Sequence, residues 1–122
     1  MYGRVLVGTD GSDTARRAVE RAVEVAEATG SSVTIVSVGD PDRALAVAQA
    51  EAERHSDAGV DIAARACQGD PAAALVEAAE AEGAGLLVVG SRGMTGPARL
   101  LGSVPNKVSH HAPCHLLIVH TT

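Results

Sequence analysis

The chain has 122 residues, 46 % hydrophobic and 20 % charged, with a formal net charge of −5. That is one domain's worth of sequence, 1–122, with too much apolar content for a disordered chain. Tyr2 is the only aromatic residue and there is no basic run, which argues against base-stacking platforms and a nucleic-acid footprint. The apolar runs are far shorter than a membrane span. Arg4 and Asp10 interrupt the first of them, so it does not read as a signal peptide, and Cys67 and Cys114 do not suggest a disulfide framework. The expectation is a soluble cytoplasmic protein with no nucleic-acid or membrane partner.

Arg4 to Val7 reads as a buried strand, broken by Gly8-Thr9-Asp10-Gly11-Ser12. Ser12 suits a helix N-cap. Behind it Ala15, Ala18, Val19, Ala22, Val23 and Ala26 share one helical face, with Arg16, Arg17, Glu20, Glu24 and Glu27 mostly opposite and Gly30 as the stop. Val33 to Val38 is a second strand. Asp40-Pro41 opens a second helix, expected to run to about Asp57, with His55 at its solvated end and Gly59 as its stop. Val60 to Ala66 alternates weakly, as an edge strand would. Asp70-Pro71 and Gly83 bracket a third helix, and Leu86 to Val89 is a fully apolar strand. A glycine-rich stretch, Gly90 to Gly102, leads into a short helix from Ser103 to about His111. Pro113 breaks that helix before a last strand, Leu116 to Val119.

Strands alternating with helices of this length imply parallel pairing with helices on both faces of the sheet. Such open sheets bind ligands beyond the carboxyl ends of their strands, where the strand order reverses. The loop after the fourth strand is therefore informative. Its glycines permit close backbone approach to a ligand, Gly102-Ser103-Val104 opens a helix whose free N–H groups attract anions, and Arg92 and Arg99 add positive charge. Together these make a phosphate cradle; the competing reading is a plain glycine-rich connection. The loop is neither a Walker A sequence nor the dinucleotide fingerprint. His110, His111, Cys114, His115 and His120 cluster near the C-terminus, but their spacing fits no compact zinc motif.

Val7-Gly8-Thr9-Asp10-Gly11-Ser12, the Gly90–Val104 stretch and Ala112-Pro113-Cys114 together resemble the universal stress protein family over the whole chain. Gly90, Gly93, Gly102 and Ser103 follow that family's ATP-binding signature, G-x2-G-x9-G-[S/T], with eight residues in place of nine between Gly93 and Gly102. The chain is also short for the family, chiefly after the second strand. The resemblance implies a three-layer, Rossmann-like α/β fold, a doubly wound open parallel sheet of order 3-2-1-4-5, that binds ATP with its Mg2+. It implies that Gly8 and Thr9 lie under the nucleoside and that Asp10 sits near the ribose or the metal and phosphates. Val38 would offer backbone groups to adenine. Gly90, Arg92 and Gly93 would line the ribose and phosphates, and Gly102, Ser103 and Val104 would hold the phosphates. Each has a plainer alternative: Asp10 as a turn or cap residue, Arg92 as a solvated side chain, Ser103 as an N-cap and Val38 as core.

No catalytic constellation is apparent, so at most slow ATP hydrolysis is expected. The alternatives are a nucleotide-independent dimer of the same fold, which the shortened loop favours, and a weak ATPase or nucleotide hydrolase. A homodimer through the apolar last strand is expected, partly from the resemblance.

Overall fold

The computed structural model describes residues 2–91 and 113–120. Strand β1 (Arg4–Gly8) is followed by α1 (Asp13–Thr29), β2 (Ser32–Val38), α2 (Pro41–Glu53), β3 (Ile62–Cys67), α3 (Pro71–Glu82), β4 (Leu86–Gly90) and β5 (His115–Val119). The expected helix from Ser103 to about His111 lies outside the described residues. The strands form one parallel sheet in the order β3-β2-β1-β4-β5, as the family resemblance implied. The chain moves outward from β1 through β2 to β3, then crosses to β4. The order therefore reverses between β1 and β4.

Local sequence explains the elements. The Ser12 hydroxyl accepts the Ala15 N–H, and Gly30 closes α1 in the left-handed conformation at φ 70°. All six apolar positions of the α1 stripe are buried. Asp40 and Asp70 cap α2 and α3 by accepting the Arg43 and Ala73 N–H groups, each followed by a proline whose missing donor is not needed there.

The second helix is shorter than expected. It ends at Glu53 rather than near Asp57, because His55-Ser56-Asp57 are weak helix formers and the backbone tightens into three-residue turns. His55 donates to Ala52, Ser56 to Glu53 and Ala58 to His55. His55 is thus in that turn, not in the helix, and the third strand begins at Ile62 rather than Val60.

Helices α1 and α2 cover one face, where Val19, Val23 and Ala48 pack against Val5, Val7, Val33, Ile35 and Val88. Helix α3 covers the other, with Leu75 and Ala78 against Leu6, Val36 and Leu87. Among the described residues the buried hydrophobic ones are all Ala, Val, Leu or Ile, so the aromatic-poor chain fills its core by bringing alanine-rich helices close to the sheet. Among the described residues no helix is long and apolar enough to cross a membrane.

Candidate functional site

Strand β1 leaves the sheet at Gly8. The Thr9 amide donates to the Val36 carbonyl at 2.9 Å, and Thr9 is 1 % exposed. Its hydroxyl accepts the Gly11 N–H at 3.1 Å, and Asp10 Oδ1 accepts the Ser12 N–H at 2.9 Å. The turn-capping reading of Asp10 is therefore realised for one carboxylate oxygen. Gly11 has φ +82°, and a Cβ there would stand 3.1 Å from Cγ1 of Val47 on α2. On the other side of the sheet, a Cβ on Gly8 would stand 3.0 Å from Leu75 of α3. The turn from Gly8 to Ser12 is thus packed from both helical layers, and it delivers the uncharged cap of α1 to the reversal point.

The end of β2 has a directional property. Residues of a parallel strand send their backbone groups alternately to the two neighbouring strands. The Gly39 N–H goes to the Cys67 carbonyl at 2.8 Å, beside β3. Val38 therefore turns its N–H and C=O the other way, towards β1. Among the described residues the ladder on that side closes with the Thr9–Val36 bond, one rung before Val38. The strand end thus presents a donor and an acceptor side by side, next to the Thr9–Ser12 turn.

Across the reversal point Gly90 pairs with Val119, and the Ser91 amide donates to the Val119 carbonyl at 2.8 Å. Arg92, Gly93, Gly102, Ser103 and Val104 lie outside the described residues. Of the residues singled out in the sequence, Gly8, Thr9, Asp10, Val38 and Gly90 stand together at the carboxyl ends of β1, β2 and β4.

The electrostatics of this edge are uneven. The N-termini of α2 and α3 are capped by the Asp40 and Asp70 carboxylates, whereas α1 is capped by the Ser12 hydroxyl, with Asp13 in its first turn and Asp10 on the Ser12 N–H. A cation could be met at the turn by Asp10. Among the described residues no group of three or more His, Cys, Asp or Glu side chains could hold a metal. Of the C-terminal cluster, Cys114, His115 and His120 are described, and His110 and His111 are not.

Sequence reasoning did not single out two supports of the site. Val47, which backs Gly11, belongs to a helix whose apolar stripe is too weak to mark one residue. Arg16, assigned to the outer face of α1, reaches across to Glu51 of α2, Nε to Oε2 at 3.3 Å. The buried glutamate in α2 was the available signal, legible only once α1 and α2 are known to share a face.

The arrangement is that of the open α/β class whose ligands sit where the strand order reverses. The chain belongs to the universal stress protein family, whose profile matches residues 1–58 and 42–120. It is 40 % identical to universal stress protein Rv1636 of Mycobacterium tuberculosis over 144 aligned positions, covering 99 % of this chain and 98 % of that protein. It is similar to a solved universal stress protein in complex with cAMP, at 37 % identity and a TM-score of 0.82, covering 99 % of both chains. An Arabidopsis thaliana family member with AMP bound has the same fold, with a TM-score of 0.76 at 22 % identity, covering 98 % of this chain and 92 % of that one.

Proposed function

We propose that this chain is an ATP-binding stress-response or signalling module. The observation that carries the reading is the juxtaposition of the Val38 donor–acceptor pair with the Thr9–Ser12 turn at the reversal point. Adenine offers a matching acceptor and donor on one edge, N1 and the exocyclic amine. The likeness to a universal stress protein in complex with cAMP supports an adenine nucleotide.

In this reading Val38 takes the base, and Gly8 and Thr9 underlie the nucleoside. Asp10 faces the ribose or a Mg2+ that arrives on the phosphates. Gly90, Arg92 and Gly93 line the ribose and phosphates, and Gly102, Ser103 and Val104 hold the phosphates. One carboxylate is a thin coordination set, so the cation is bound chiefly by the nucleotide, and hydrolysis is at most slow. The module is cytoplasmic and pairs as a homodimer through β5, where Ile118 is 47 % exposed on an edge strand.

Calorimetric titration with ATP and Mg2+ tests the reading, with Gly102→Asp as control: micromolar binding that the substitution abolishes is expected. A second reading, a nucleotide-independent dimer, is favoured by the eight-residue spacing between Gly93 and Gly102. Melting separates the two. A ligand at a hundred times its Kd stabilises by about 2.7 kcal/mol and raises Tm, whereas the second reading predicts no shift.

A further inference from the structure

Among the described residues, the base end of the proposed site is enclosed on one side only. Thr9 is buried and Gly11 is backed by Val47. On the β2 side, by contrast, the chain passes from Val38 to helix α2 through two residues, Gly39 and Asp40. Gly39, Asp40, Pro41, Asp42 and Arg43 are all exposed, and a Cβ placed on Gly39 would meet nothing within 4 Å among the described residues.

The chain is also shorter than its relatives. The mycobacterial alignment spans 144 positions, while this chain has 122 residues, so some positions of the relative have no counterpart here. The family profile matches in two pieces that share residues 42–58, most of α2 and the turn after it.

The exocyclic amine of adenine carries two hydrogens. If the Val38 carbonyl takes one, the other points past the strand end, towards the Gly39–Asp40 corner. We propose, resting on the nucleotide reading above, that this site accepts adenine nucleotides bearing a bulky group on the exocyclic amine. The substituent passes out over Gly39 into solvent, and the strand-end hydrogen bonds are kept.

The experiment is calorimetric titration of the full chain with ATP and with N6-benzyl-ATP, both with Mg2+. The proposal expects a Kd for the benzylated nucleotide within about tenfold of that for ATP, the ratio that 1.4 kcal/mol produces. Binding of ATP with a benzyl penalty larger than tenfold overturns the proposal and leaves the nucleotide reading standing. Failure of ATP itself to bind at millimolar concentration overturns both.

Discussion

The two faces of the sheet hold a carboxylate in opposite ways, one half-buried and one buried. On the α3 face, Glu82 is 24 % exposed and both of its oxygens are engaged. Arg65 donates to Oε2 at 2.9 Å, while Arg4 donates to the Thr34 hydroxyl at 2.7 Å and that hydroxyl donates to Oε1 at 3.2 Å. On the α1/α2 face, Glu51 is 3 % exposed, held by Arg16 at 3.3 Å and more distantly by Arg54 at 4.0 Å. Its other oxygen has no hydrogen-bond partner among the described residues. The satisfied network ties three strands to the end of α3, with Arg4 at the amino end of β1. The under-satisfied pair joins the first turn of α1, which follows the Thr9–Ser12 turn, to the last turn of α2. A half-satisfied buried charge contributes less than its burial suggests, so the molecule is polar-locked away from the candidate site and loosely locked beside it.

Substitutions can break that comparison, and urea denaturation reads each of them. Leu75 anchors α3 beneath Gly8, and Leu75→Ala should cost about 3 kcal/mol, the largest effect expected here. Arg16→Ala leaves a buried carboxylate with only the distant Arg54 among the described residues, and should cost about 2–3 kcal/mol. The matched pair Glu82→Leu and Glu51→Leu should then diverge. The first strands the buried Thr34 hydroxyl and two arginines and should cost about 1–2 kcal/mol. The second removes an ill-satisfied charge and should cost less than about 1 kcal/mol or stabilise. Equal losses for the pair would contradict the contrast between the faces.

The smallest effect concerns Cys114. Burial pushes its thiol up, against a lesser lowering from the Leu87 backbone. A raised pKa means folding favours the neutral thiol. That contribution is present below the unfolded-state pKa and is lost as pH rises through the folded one. Alkylation of Cys114 by iodoacetamide at pH 8 should accordingly be slower than that of a free cysteine.

Much of this architecture was legible in the sequence. Ser12, Asp40 and Asp70 are caps whose chemistry is local, as are the glycine stops at Gly30 and Gly83, so five of the helix boundaries could be read from neighbours alone. The end of α2 could not. There the choice between another helical turn and the tight turns at His55–Ala58 is settled by how Ala52, Ala58 and Val60 pack onto the core. The sheet order came from the family resemblance, since strand adjacency is a long-range property that no local pattern encodes. At the candidate site, Thr9 and Asp10 stood out because they follow a strand. The support from Val47 and the outward turn of the Val38 backbone depend on register and on helices distant in sequence.

The most direct test of the nucleotide reading is amide chemical-shift mapping of the isotopically labelled chain as ATP and Mg2+ are added. The account predicts shifts at Thr9, Asp10, Gly11, Ser12, Val38 and Gly39, with Tyr2, Ser31 and Gly85 at the opposite end of the sheet unmoved. Shifts confined to that opposite end, or none at millimolar ATP, would contradict it.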